Sequence, residues 1–284
     1  MQRTAIITDS GVSLGALAGR AMLPLTILPN QISTGKSTFF EGQDHSNEEA
    51  MALLAQSASP VNLEPPGAEM YSRAFVTLSR EADEIVCICP SRHLLPHWEN
   101  ANRAVHMTPG TCPIRLIDSQ LISGGQALAT LAIAEAIVKN AHINDIERLA
   151  RTVAARTYLM IAIDQVEKLQ QVEKLDASHA LFSAMHNIKP IINMESGMLH
   201  AVAKARTRAH AIERLLEFAT EFIDAAYVLI LHDHRSEEIV ERLQARLSHA
   251  MPAENVAAMV YNPSLAALIG LGAIGIAIME PIGE

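Results

Sequence analysis

The sequence predicts an α/β fold built from two α/β domains, and three observations carry that expectation. Apolar runs of about five residues recur, each leading through a small polar turn into a longer helical pattern, at Thr4 to Gly19, Ile85 to Ala104, Pro113 to Lys139 and Tyr227 to Leu247. Those runs are continuous rather than alternating, as expected of strands covered by helices on both faces. Finally, 284 residues with 49% hydrophobic content are enough for two domains of ordinary size and an ample core.

Thr4 to Thr8 reads as a first strand ending in Asp9-Ser10-Gly11, and Asp118-Ser119 repeats that ending after Ile114 to Ile117. An Asp-Ser pair at a strand end suits a phosphate or metal, but the same residues are common helix caps, which is the favoured reading. Ala21 to Leu28 reads as a second strand, followed by a polar hairpin through Gly35 to Phe39-Phe40-Glu41-Gly42. Ser46 with Glu49 three positions on predicts a capping box opening a helix to about Gln56. Ser57 to Gly67 is the proline-dense stretch and reads as an extended loop. Pro66 suits the first turn of a helix to about Arg80.

Cys87 and Cys89 alternate in phase on the strand from Ile85, and core packing is favoured over metal because no further ligand pair accompanies them. That strand leads to Ser91, whose hydroxyl lies where open α/β sheets place ligands or else caps the helix from Leu94 to Met107. His93, His97 and Trp98 share the same turn and line a site or face solvent. A Ser-His-Asp triad at Ser91 lacks the G-x-S-x-G elbow.

After the amphipathic helix from Asn144 to Arg156 the domain boundary is expected, giving domains 1–156 and 157–284. Thr157 to Ile163 opens the second as a strand, and Gln165 to Leu175 reads as a solvated helix with a short internal duplication. Pro190 within Asn187 to Asn193 argues for an edge or irregular strand, turning at Glu195-Ser196-Gly197 into a hairpin partner from Met198 to Val202. Lys204, Arg206 and Arg208 form a basic cluster that suits an acidic partner or a solvated helix start. A helix runs on to Phe222. His232-Asp233-His234 after the strand from Tyr227 suits a metal, but spacing names no third ligand, and Ser236 is expected to cap the helix to Leu247.

Val256 to Met279 carries no charge and approaches membrane-span length. Asn262-Pro263-Ser264 and the glycines at 270, 272 and 275 instead predict a strand, a helix, a tight turn and a last buried strand. Gly270 to Gly275 lacks the strand-first setting of a dinucleotide fingerprint, so no cofactor is expected. A net charge of −9 with 22 Lys and Arg disfavours nucleic acid. Three cysteines without framework spacing, and no signal-peptide pattern, lead us to expect a reducing cytoplasmic setting.

Taken in order, several short stretches resemble the DegV family of bacterial fatty-acid-binding proteins: Ile7-Thr8-Asp9-Ser10, Leu23-Pro24-Leu25, Pro66-Gly67, Ser91 with Trp98 and Ala101, and Leu116-Ile117-Asp118-Ser119. Ser123-Gly124-Gly125, Asn187-Ile188-Lys189-Pro190-Ile191 with Gly197, and Lys204-Ala205-Arg206-Thr207 continue the resemblance over nearly the whole chain. It implies two α/β domains with a long-chain fatty acid in a tunnel between them, and a carrier that presents the carboxylate to a partner fatty-acid kinase. An acyl chain, at about 0.8 kcal/mol per buried methylene, needs apolar walls and few polar groups. The aliphatic-rich, 4% aromatic composition is compatible.

The polar end departs from the family. Val61-Asn62-Leu63-Glu64 stands where the family has Thr-Ser-Gln-Pro, Leu95-Pro96-His97-Trp98 where it has Ser-Gly-Thr-Tyr, and Val172-Glu173-Lys174 where it has Gly-Gly-Arg. Leu268-Ile269-Gly270-Leu271-Gly272 replaces His-x-Gly-Pro-Gly. A buried carboxylate without hydrogen bonds is costly, so Ser91, Asn62, His93 and His97 are the candidate head-group residues. The alternatives are a Ser/His-dependent hydrolase or transferase acting on acyl compounds, and a regulatory relative that binds no lipid.

Overall fold

The computed structural model describes residues 3–12, 14, 24–35, 37–57, 60–164, 188–222 and 224–282. Gln165 to Leu175, including Val172-Glu173-Lys174, lies outside the described residues, as do 15–23.

Four short apolar strands form a parallel sheet in the order β2-β1-β6-β7: β1 (Thr4–Asp9), β2 (Leu25–Leu28), β6 (Glu84–Cys89) and β7 (Ile114–Asp118). Every residue of β6 is buried, as a strand covered on both faces requires. A small antiparallel sheet is added by β3 (Gln31–Thr34), β4 (Ser37–Phe40) and β5 (Asn62–Glu64). The proline-dense stretch is therefore extended but not free, because β5 pairs with β3.

From residue 157 onward the strands enter a second sheet, β10-β9-β8-β13-β11-β12. Its members are β8 (Thr157–Ala162), β9 (Lys189–Glu195), β10 (Met198–Ala205), β11 (Tyr227–His232), β12 (Val256–Val260) and β13 (Ile274–Met279). Only β11 and β12 pair in parallel; the other pairs are antiparallel. The glycine-rich end behaves as its spacing predicts, with a short helix, positive φ at Gly270 (84°) and Gly272 (81°), and the fully buried β13. Pro190 corrects the edge-strand expectation. It is the second residue of β9, which lies inside the sheet, and its carbonyl still accepts from the Ile163 amide at 2.8 Å. A proline near a strand start removes one amide that the ladder can spare. The β9–β10 turn holds Ser196 at φ 50° and Gly197 at φ 80°, the pair of positive φ values that a two-residue hairpin favours.

Eight helices are described: α1 (Asn47–Gln56), α2 (Ala68–Leu78), α3 (His97–Met107), α4 (Ser123–Val138), α5 (Ile143–Ala155), α6 (Arg208–Thr220), α7 (Glu237–Ala250) and α8 (Pro263–Ile269). The Ser46–Glu49 capping box opens α1. Ser236 precedes α7 without capping it through its side chain, donating instead to Asp233 at 2.6 Å.

α4 organises the layers. It has no continuous polar stripe, and its residues from Ser123 to Ala134 are all buried, as a helix packed between two layers requires. One side packs Ile133 and Ala134 against Ile6, Val86 and Ile88 of the parallel sheet. The other sets Leu128 and Leu131 among Leu159, Ile161, Leu229 and Leu231 of the second sheet. A Cβ added at Gly124 would meet Leu231 at 2.6 Å, which is why the helix can approach β11 so closely. α2 and α3 cover the far face of the parallel sheet and α6 and α7 that of the second, so helix and sheet layers alternate five deep. Cys87 and Cys89 lie in the α2/α3 layer, fully buried and free, with sulfurs 3.8 Å apart.

Candidate functional site

The carboxyl ends of β1 and β6 point toward the start of α4 and toward α8, and one cluster of buried polar residues gathers there. Asp9, the last residue of β1, is 1% exposed and accepts from the Gly11 amide (2.7 Å), Gln126 Nε2 (2.7 Å) and Asn30 Nδ2 (3.3 Å). Asn30 also donates to Ser264 Oγ at 2.9 Å, and its Oδ1 meets His97 Nε2 at 2.9 Å. Since that amide nitrogen faces acceptors only, Oδ1 must receive a proton, and His97 therefore carries its proton on Nε2. Glu41, just after β4, accepts from the Ser264 amide (2.6 Å), Ser264 Oγ (2.5 Å) and Ser10 Oγ (2.5 Å). Asn262 donates to the Ser10 carbonyl.

Burial dominates the electrostatics. It pushes the Glu41 carboxyl up to about 7, aided by Asp9 and opposed by hydrogen bonds from Ser10 and Ser264. Burial also lowers the His97 pKa, opposed by the charges of Asp9 and Glu99. Asp9 lies 3.7 Å from His97 Nε2, a contact that is an ion pair only when the ring is protonated.

Two spaces flank this network. On the inner side, Asp9, Asn30, Ser123, Gln126 and Ser264 with Leu95, Ile122, Leu265 and Leu268 enclose about 10 Å³, room for about one water molecule. On the outer side, a cleft of about 360 Å³ runs between β2, the end of β4, α1 and the start of α8. Its polar lining includes Ser10, Glu41, Asn47 and Asn262, and its apolar lining Val12, Leu14, Ile27, Pro29, Ala50 and Pro263. That volume falls in the range of ligand pockets.

The four residues singled out from sequence do not share one site. Ser91 is fully buried, but it is not the cap of α3, which begins six residues later at His97. Its hydroxyl donates to the Gly197 carbonyl at 2.5 Å and accepts from the His93 amide, so it ties the end of β6 to the β9–β10 turn of the second sheet. His93 is exposed beside that turn, where a Cβ on Gly197 would meet it at 3.0 Å. His97 enters the Asn30 network. Asn62 is exposed on β5 with its amide on Glu64 at 3.0 Å. Replacing Ser91 with alanine would leave the buried Gly197 carbonyl without this donor and is expected to cost roughly 1–3 kcal/mol in urea unfolding.

Asp9, Asn30, Glu41 and Ser264 were not singled out as a site from sequence. Asp9 and Ser10, which the sequence favours as helix caps, both enter the network, and the segment 15–23 that a cap would serve lies outside the described residues. One signal was present: Asn262 and Ser264 are polar residues inside a run without charge, and Glu41 follows two phenylalanines. Asp118 and Ser119 serve their own turn, accepting from the amides of Gln120 and Leu121. Asp233 is engaged by Arg235, Ser236 and the Gly272 amide, and His232 Nδ1 meets the Asp233 carbonyl. Among the described residues no group of three or more His, Cys, Asp or Glu side chains is placed to hold a metal, and no helix is long and apolar enough to cross a membrane.

The whole architecture has counterparts. A DegV domain-containing protein of Streptomyces coelicolor is 27% identical over 256 residues, covering 87% of this chain and 88% of that one. The crystal structure of a fatty acid binding DegV family protein from Streptococcus agalactiae superposes with a TM-score of 0.88 at 18% identity, covering 99% of this chain and all of the other. That of DegV, a fatty acid binding protein from Bacillus subtilis, gives 0.85 at 19% identity with the same coverage. The family model described as "Uncharacterised protein, DegV family" matches residues 3–281, and the chain belongs to that family.

Proposed function

We propose that this protein is a carrier without chemistry of its own, holding a fatty acid or related single-chain amphiphile where its two domains, 1–156 and 157–284, meet. The observation that carries the reading is the full-length likeness to fatty-acid-binding relatives, whose layers are shared to a TM-score of 0.88. The aliphatic cleft beside a compact polar network suits a ligand with one long apolar tail and a small polar end.

The sequence reading rests the head group on Ser91, Asn62, His93 and His97. The geometry favours the network that His97 enters, because Ser91 is committed to Gly197 and Asn62 to Glu64. Presentation of a carboxylate to a partner acyl kinase follows from the family resemblance. A hydrolase using Ser91 gains no support from the geometry: the hydroxyl's hydrogen bonds go to the backbone at Gly197 and His93, whereas nucleophilic catalysis needs a base within reach.

Native mass spectrometry of freshly purified protein, followed by denaturation and organic extraction, tests the reading. A single-chain lipid at one per chain is expected. Protein that arrives empty and takes up no added palmitate, oleate, hexadecanol or hexadecylamine would sink it.

A further inference from the structure

The cleft beside the Glu41 network has a polar end of its own, on the turn between β4 and α1. That turn is short and fixed. Gly42 takes φ 73°, which costs a glycine little, and the Gln43 and Asp44 amides both donate to the Phe40 carbonyl, at 3.2 and 3.1 Å. The Phe40 amide donates in return to the Asp44 carboxylate at 2.7 Å. Glu41 and His45 form a bridge across the turn, and the Ser46 cap of α1 follows at once. Glu41, Gln43 and His45 all line the cleft.

The three side chains differ in what they have left to offer. The Glu41 oxygens are engaged by Ser10, by Ser264 and, at 3.4 Å, by Asn30, so Glu41 acts on the cleft through its charge rather than through a contact. Among the described residues nothing hydrogen-bonds to the Gln43 side chain or to the His45 ring nitrogens; the His45 ring has its edge-on contact with Phe39 and the nearby charge of Glu49. Gln43 is exposed and His45 half-buried, and each offers an N–H to the cleft without giving up an existing bond.

An apolar wall complements these donors. Ile27 of β2 is 47% exposed, and Val12, Leu14 and Pro263 line the same space. A single-chain amphiphile that covers Ile27 with its tail and meets Gln43 and His45 with its polar end satisfies both parts of the cleft. A carboxylate suits the two donors best, because an ionised acceptor makes hydrogen bonds roughly twice as strong as a neutral one.

The charge balance sets a condition on that seat. Among the described residues no Lys or Arg lines the cleft, and Glu41 is its one acid. The other charged groups on the packed elements are Asp9 on β1, Asp44 in the turn, and Glu48 and Glu49 in the first turn of α1, while α8 presents the uncharged Asn262, Pro263 and Ser264. Burial lowers the pKa of His97 beyond Asp9, so that ring supplies no cation at neutral pH. Glu41, raised to about 7 by the same cause, is the acid whose proton decides whether a carboxylate in the cleft meets a like charge.

We propose that Gln43 and His45 form the seat for the carboxylate of a single-chain lipid, beside a Glu41 that holds its proton while the ligand is bound. This rests on the carrier reading and assigns its head group to the turn between β4 and α1.

The test dialyses the delipidated full chain to equilibrium against dodecanoate or dodecanol at pH 6 and pH 8. Gln43→Ala and His45→Ala are each expected to weaken dodecanoate by about five- to ten-fold and dodecanol by no more than about two-fold. Between the two pH values the protonated fraction of a group at about 7 falls from about nine-tenths to about one-tenth. Wild-type affinity for dodecanoate should therefore fall by about ten-fold or more, and that for dodecanol should stay level. Glu41→Gln should keep only the smaller dependence that an imidazole brings in this range, and Glu41→Gln combined with His45→Ala should have none.

Dodecanoate affinity unmoved in both Gln43→Ala and His45→Ala would overturn the seat and leave the carrier reading standing. Wild-type dodecanoate affinity that is level between pH 6 and 8, or a fall of full size in folded Glu41→Gln, would overturn the part given to Glu41. Failure of both compounds to bind the wild type would overturn the seat and the carrier reading together.

Discussion

Asn30→Leu is expected to destabilise the protein by roughly 3–5 kcal/mol, because it withdraws one side chain from several buried partners at once. The two side chains have nearly the same shape, so packing changes little and the loss is polar. Asn30 is fully buried and donates to Ser264 at 2.9 Å, with longer contacts to Asp9 at 3.3 Å and Glu41 at 3.4 Å. Its carbonyl oxygen receives His97. Leucine leaves the His97 Nε2 proton unpaired in a place water does not reach, and weakens the screening between two carboxyls. Urea unfolding with an unchanged m-value would show the loss as a lower midpoint. Asn30→Asp should be at least as damaging at pH 8 and partly relieved at pH 5, since a third acidic group then competes for the same donors. A change below about 1 kcal/mol in Asn30→Leu would mean that the network does not hold these segments together.

The second large effect is the pH dependence that Glu41 imposes. Its pKa is about 7 in the folded protein against an ordinary 4.5, so the native state binds the proton more tightly than the unfolded chain. Stability contributed by that proton is fully present below about pH 4.5 and is lost as pH rises through 7, about 3 kcal/mol in all. His97 acts in the opposite sense. Burial depresses its pKa below 6.5, so stability is present above that value and falls as the pH drops and the unfolded chain gains the proton. The two slopes oppose each other between about pH 4.5 and 6.5, and the Glu41 slope continues alone toward 7. Glu41→Gln should abolish the loss between pH 6 and 8 and unmask the His97 slope on the acid side. Urea midpoints across pH 4 to 8 for both proteins check this. A wild-type curve that rises between pH 6 and 8 would contradict the assignment.

Much of the fold is legible in single segments. The Ser46–Glu49 capping box opens α1 where expected, because its partners lie three residues apart and depend on nothing distant. The helix, positive-φ glycines and buried strand after Tyr261 follow from the same local chemistry. The stretch from Pro113 to Lys139 also reads as a strand leading through a small polar turn into a long helical pattern, which is β7 followed by α4. What the sequence does not reveal is that α4 lies between two sheets, nor that the second sheet is largely antiparallel. An apolar strand buried on both faces reads the same whichever way its neighbour runs.

The site divides in the same way. By itself the sequence determined the fold class, most of the strands and helices, the family resemblance, and the loss of the family's polar residues at Val61 and Leu268. Only the tertiary structure decided where the polar groups meet. Ser91, legible as a ligand hydroxyl at a strand end, is tied to Gly197, 106 positions away. Asn30 reaches Ser264 across 234 positions, and Glu41 reaches it across 223. Such pairings leave no periodicity or spacing in the chain. They are selected by the cost of burying a donor or acceptor without a partner, which is settled only when the layers close around α4.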